Sequence, residues 1–216
     1  MVDSAPANYA ISNRLPLCAR YLVVCGRTAS WRPSTCGSGD GSQVLWAVGA
    51  LASGETEILG AWLAQDVNRP TWAPVEDDLR RRGVERIRVL VTEDSAVQAA
   101  NFPGSPTLVS QLACMPESMS SLGLAARQCR IVERTVLLAE RISALIRRRL
   151  SRMAPINAAA DALERVAGSL AQAQRRIDMS TDIFRGALHR PSGQGAPRAI
   201  TGQRLIMPTS ARGMAR

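Results

Sequence analysis

The chain contains no lysine, so all 27 of its basic residues are arginine. A compact ammonium is thereby absent, and every positive charge sits on a planar fork that can grip two phosphate oxygens at once. Histidine is almost absent too, with His189 alone, and the five cysteines at positions 18, 25, 36, 114 and 129 include no CxxC pair. An odd, unpaired cysteine set argues against a disulfide framework, and a lone distant histidine argues against a zinc module. Free thiols in a reducing cytoplasm are the expectation. Aromatic residues make up only 4% of the chain, which argues against a surface built to stack unpaired bases. No apolar run approaches the roughly 20 residues of a membrane span. The opening MVDSAPANYA lacks the basic-then-apolar order of a signal peptide. A cytoplasmic protein with no membrane partner is expected.

What the chain does have is a core and a lopsided charge. Hydrophobic residues make up 46% of 216, enough for one sizeable domain with appendages. Residues 1–125 carry 10 Arg and 12 acids, for a net charge of −2; residues 126–216 carry 17 Arg and 6 acids, for +11. A near-neutral first part joined to a basic second part suggests a folded domain followed by a polyanion-binding segment. Solvated helix faces and a loose tail would give the same count.

The pattern along the chain supplies the elements. Residues 1–19 read as a lead-in. Arg20–Gly26 (RYLVVCG) is a short apolar strand, and Thr28–Ser42 reads as a loop. Gln43–Ala52 and Glu55–Ala64 flank a Ser53-Gly54 turn and form an antiparallel hairpin. In Thr71–Arg82, Trp72, Val75 and Leu79 mark one helical face, the acids and Arg80–Arg82 cover the rest, and Gly83 provides the stop. Arg86–Thr92 (RIRVLVT) is the clearest strand and runs into Glu93 and Asp94. A short helix over Ser95–Asn101, the FPGSP turn and a strand at Thr107–Ala113 follow. From 118 to 152 the period becomes helical, with Ile131, Leu138, Ile142 and Leu145 on one face; Ala158–Ile177 is a second helix. The last stretch has no acid and many Gly, Pro and Ser, the composition of a disordered tail. This order predicts an α/β fold: an RNase H-like mixed sheet (20–117), an Arg-rich helical region (118–188) and a disordered basic tail (189–216).

Several motifs stand in a particular order: Leu59-Gly60-Ala61-Trp62, then Trp72, then Leu79, Arg82 and Gly83, then Phe102-Pro103-Gly104. Upstream, Tyr21–Cys25 and Val48-Gly49 fall on the first two strands. Over about residues 20–117 this arrangement resembles the catalytic core of bacterial mutator-type insertion-sequence transposases. The resemblance implies DNA binding with metal-dependent strand cleavage and transfer, using three carboxylates that hold Mg²⁺ or Mn²⁺. Carried over residue by residue, the first acid falls on Cys25 and the second on Glu93, with Asp94 beside it. The family's C-x-x-H becomes Cys114-Met115-Pro116-Glu117. A thiol is a poor ligand for Mg²⁺. The third acid has no aligned position, and Glu133, Glu140 and Glu164 are candidates.

Glu93 and Asp94 are therefore the candidate catalytic and metal-binding residues. They also suit a plain strand end, with Asp94 capping the next helix. Arg127, Arg130, Arg134 and Arg141 recur at helical intervals and, with Arg147, Arg148 and Arg149, form the candidate DNA-binding set. Arginines that only keep a helix pair soluble would look the same. The function expected is a degenerate mutator-type transposase-like protein, with Mg²⁺ or Mn²⁺ if active and no cofactor otherwise. The alternative is a non-catalytic DNA-binding or regulatory protein that partners a full-length transposase. DNA, a homo-oligomer or a full-length transposase are the expected partners.

Overall fold

The structure is a computed structural model, and it describes residues 16–31, 42–64, 72–93, 97, 101–110, 122–152 and 159–188. Strands β1 (Arg20–Trp31), β2 (Ser42–Ala50) and β3 (Thr56–Leu63) come first, then helix α1 (Ala73–Arg81), β4 (Arg86–Thr92) and β5 (Thr107–Ser110). Helices α2 (Ala126–Arg152) and α3 (Ala159–Leu188) follow. The five strands form one mixed sheet in the order β3-β2-β1-β4-β5. The β1–β2 and β2–β3 pairs are antiparallel, and the β1–β4 and β4–β5 pairs are parallel. Among the described residues, no helix is long and apolar enough to cross a membrane.

The hairpin and the long strand at Arg86–Thr92 lie where the sequence places them. Two boundaries differ: α3 runs past the expected end at Ile177 to Leu188, and β1 is longer than expected. β1 continues past Gly26 to Trp31, because β2 pairs with it through Trp31↔Ser42. The run Arg27–Ser30 is a weak strand former, but it pairs residue by residue with β2, and backbone pairing outweighs propensity there. Residues 95, 96, 98–100, 111–121 and the tail lie outside the described residues, and with them Asp94, Cys114 and His189.

The sheet is covered on both faces. On one side, α1 contributes Val75 and Leu79, which pack with Trp62, Trp72, Ile87, Leu90 and Phe102. On the other, α2 and α3 share a single core with Val23, Cys25, Trp46, Val48, Val89 and Val91. The two long helices are thus a layer of the fold. Their buried stripe is wider than the four residues read from the period. Ile131 and Ile142 are buried, Leu138 and Leu145 are half-buried, and Val132, Val136, Ala139 and Ile146 complete it. A helix that touches a sheet and a second helix needs apolar residues on two flanks. α3 also guards an edge: the Gln174 side-chain oxygen accepts the Ile58 backbone N–H at 2.8 Å, occupying an edge-strand donor.

The sequence motifs prove to be scaffold. The register slips between Ala47 and Val48, pairing them with Gly60 and Ile58 and leaving Leu59 as the extra residue of a bulge. Gly60 there adopts φ +155°. Trp62, two residues on, points its indole N–H at Asp78 of α1 at 3.2 Å. α1 ends as a Schellman motif: Gly83, at φ +94°, donates to Arg80, and Val84 donates to Leu79, each at 3.0 Å. Phe102 packs against Trp72, with ring centroids 6.3 Å apart, and the Pro103 carbonyl accepts the Ile87 N–H.

Gly26 is where this scaffold is tightest. A Cβ at that position would stand 2.5 Å from Cη2 and 2.8 Å from Cζ3 of Trp72. The Trp72 ring packs against Phe102 and would have to shift. Gly26→Ala is expected to cost about 1–3 kcal/mol in a urea melt, the usual range for overpacking. A neutral result would mean that Trp72 has room to move.

α1 corrects one expectation. Glu76, Asp78 and Arg82 were placed on the solvent side by period, yet all three are buried. Asp78 and Arg82 go inside because they satisfy each other and Trp62 (below). Burial, aided by the charge on Asp77 and opposed by Arg80, pushes the Glu76 carboxyl above the usual carboxylate range. A carboxyl raised on folding weighs against the fold above that pKa, and the penalty disappears on acidification below the unfolded value. Glu76→Gln is therefore expected to raise the melting temperature at neutral pH, and the gain should shrink in mild acid. A gain independent of pH would remove the charge from the explanation.

Candidate functional site

Strand alternation decides what reaches the α2 side of the sheet. Val23, Cys25, Ala29 and Trp31 of β1 face it, as do Val89 and Val91 of β4. Arg27 and Glu93 have the same parity and lie side by side, one register step beyond Gly26↔Thr92. Arg27 Nε stands 3.4 Å from Glu93 Oε1. The arginine side chain is 0% exposed and the glutamate 49%. A buried guanidinium and a half-exposed carboxylate thus meet where β4 ends beside the middle of β1. Arg27 Nη1 donates to the Gly26 carbonyl at 3.2 Å, while its Nη2 has no hydrogen-bond partner among the described residues.

Cys25, at the position of the first acid in the resemblance, is fully buried among apolar side chains. Glu93 lines a cavity of about 280 Å³ together with Thr28, Ala29, Trp46, Glu140, Ser143, Ile146 and Arg147. Of the three candidates for a third acid, Glu140 alone reaches this cavity. Glu133 is half-buried farther up α2, and Glu164 is exposed on α3. Among the described residues, no three His, Cys, Asp or Glu side chains converge as metal ligands.

The arginines separate into three groups. Arg127, Arg130, Arg134, Arg141 and Arg148 are exposed and, by helical angle, share one side of α2. Leu137, 53% exposed, sits in the same stripe. Arg147 is exposed too, but it lines the cavity instead of joining the stripe. Arg149 is half-buried and lies over Gly168 of α3, where a Cβ would stand 3.6 Å from its Nη1. The start of α2 is anchored to the sheet by Arg88, which donates to the Gly123 carbonyl at 2.9 Å and to the Gln128 side chain at 3.3 Å. Gln128 also accepts the Ala125 N–H at 3.1 Å, half of a capping box.

Two residues of this site escaped the sequence reading. Arg27 lies beyond the strand end that the sequence predicts at Gly26, and Trp46 carries no signal beyond its place in an apolar strand. The signal for Arg27 was there: it stands two residues after Cys25, on the same face if the strand continues.

No curated protein gives a significant match to the chain. Residues 16–115 match the family model for transposases of the Mutator family. That segment takes in the whole sheet and α1, whereas α2 and α3 lie beyond it. The sheet-forming part of this chain is accordingly a relative of the Mutator-family transposases.

Proposed function

We propose that this chain is a transposase-like DNA-binding protein that has given up metal-dependent strand cleavage. The Arg27–Glu93 pair carries the reading. A cleavage site of this kind needs adjacent strand-end carboxylates free to share divalent cations. Here the first position is a buried thiol, a poor partner for a hard cation. The second is a glutamate held by a fixed guanidinium. A resident positive charge repels a divalent ion and already neutralises the acid that would bind it. Among the described residues, Glu93 and Glu140 remain as oxygen donors, and that set does not fit Mg²⁺ or Mn²⁺. The role of Glu93 as a metal ligand is, on this reading, lost.

An RNase H-like relationship for the sheet is part of the proposal, and the β3-β2-β1-β4-β5 order with its single antiparallel-to-parallel change supports it. DNA binding rests on the exposed arginine stripe of α2 and on the net charge of +11 beyond residue 125. Phosphate contacts of this kind position a protein without reading sequence.

The test is nicking of supercoiled plasmid by purified full chain in Mg²⁺ and in Mn²⁺. Wild type is expected to be silent, and Cys25→Asp alone is expected to stay silent, because a new carboxylate two residues from Arg27 would pair with it. Cleavage by wild type that is lost in Glu93→Ala would overturn the proposal.

A further inference from the structure

We propose that the outer face of α2 enters the major groove of duplex DNA, with Leu137 as its base-contacting residue. The proposal rests on the reading above, that α2 carries the DNA contact, and it adds what that face touches between the phosphates. Among the described residues, the exposed large hydrophobics are Leu108, Leu137 and Met179. Leu137 alone lies among the arginines of α2. It is 53% exposed. It follows Arg134 by three residues and precedes Arg141 by four, so both flank it on neighbouring turns. Arg130 stands seven residues before it. None of these three arginines has an ion-pair partner among the described residues.

The spacing fits a groove. Arg130 and Arg141 are 11 residues apart, about 16 Å along the axis at 1.5 Å per residue. That span reaches the backbones on either side of a major groove about 12 Å wide. Leu137 lies between them. An apolar side chain has nothing to offer a phosphate, whereas a thymine methyl in the major groove offers it an apolar contact. Ala144, seven residues on and also exposed, lets the helix backbone come close. The minor groove, about 6 Å wide, does not admit a helix about 10–12 Å across. The acids of α2 keep to the opposite flank of Leu137, where Glu133 is half-buried and Glu140 lines the cavity. A second copy of the chain is the other partner that could cover Leu137. Its α2 face would bring the same excess of positive charge, so a polyanion is the complementary occupant.

The experiment is fluorescence anisotropy of the full chain with two labelled duplexes, alternating dA–dT and alternating dA–dU, across a salt series. The two differ in the thymine methyl, which lies in the major groove. Wild type is expected to bind the dA–dT duplex about fourfold more tightly, the equivalent of one buried methyl group. Leu137→Ala is expected to lose that difference and to weaken binding of the dA–dT duplex about tenfold. Its salt slope should stay at the wild-type value, because no phosphate contact is removed. The variant spares the fold, since the side chain is exposed and alanine is the best helix former. Equal affinity of wild type for the two duplexes, or a methyl preference that survives Leu137→Ala, overturns the inference. A wild-type dimer in sedimentation that becomes monomeric in Leu137→Ala assigns the leucine to self-association and overturns it too. A normal salt slope without methyl preference overturns this inference alone. Absence of DNA binding by wild type overturns the functional proposal beneath it.

Discussion

Asp78→Ala is expected to cost about 3–5 kcal/mol of folding stability, the range for removing one partner of a buried ion pair. Asp78 Oδ2 accepts from Trp62 Nε1 at 3.2 Å and from Arg82 Nη1 at 3.3 Å. Its Oδ1 accepts from Arg81 at 3.2 Å. Arg82 also donates to the Leu59 carbonyl in the bulge of β3. The side chains of Asp78 and Arg82 are 7% and 6% exposed, and Trp62 is fully buried. Truncation would take from a buried guanidinium and a buried indole N–H the acceptor they share. Against a total of about 5–15 kcal/mol for a domain, such a loss leaves little margin. The contrast is Asp77→Ala, one residue away. Its pair with Arg80 is 3.8 Å long, with side chains 74% and 48% exposed, and removing it should cost no more than about 0.5 kcal/mol. Urea melts of both variants provide the check. An Asp78→Ala loss below about 1 kcal/mol would mean that water takes over the acceptor role.

Replacing Arg130, Arg134 and Arg141 together by Gln is expected to collapse DNA affinity at low salt. Each phosphate contact contributes about 0.9 to the slope of log affinity against log salt. The slope should therefore fall by about 2–3 units, with affinity down by roughly two orders of magnitude or more. The loss should be similar for unrelated duplex sequences, since phosphates carry no sequence information. All three side chains are exposed, so folding stability should change little. Filter binding or anisotropy across a salt series measures it. An unchanged slope would move the DNA contact away from α2, and the functional proposal would then need another surface.

Much of the fold was legible because periodicity is a local property. Alternation in RIRVLVT placed β4 to the residue. Gly83 marked the end of α1 because a left-handed stop favours glycine. The arginine side of α2 followed from spacing alone. Resemblance, carried by LGAW, the Trp72 helix and FPG, pointed to the right family for the sheet. It also carried the first two acid positions of that family onto Cys25 and Glu93.

What the sequence by itself determined about this protein is therefore its element order, its family resemblance and a cysteine where that resemblance implies a first carboxylate. Only the tertiary structure decided what stands in that carboxylate's neighbourhood. Arg27 reads as a polar residue past the end of a strand until β2 pairs through Trp31 and fixes its side chain on the buried face. Its meeting with Glu93 joins residues 66 positions apart in sequence, through the parallel pairing of β1 with β4. Glu140 and Arg147 join Glu93 only because α2 folds back over the same face. Likewise Asp78 and Arg82 look like solvated charges by helical period, and they are buried because a bulge in β3 delivers Trp62 and the Leu59 carbonyl to them. Patterns within one element report that element's preferred face. Which charge is buried depends on the partner brought from elsewhere, because an ionised group enters a core only when its hydrogen bonds can be met there.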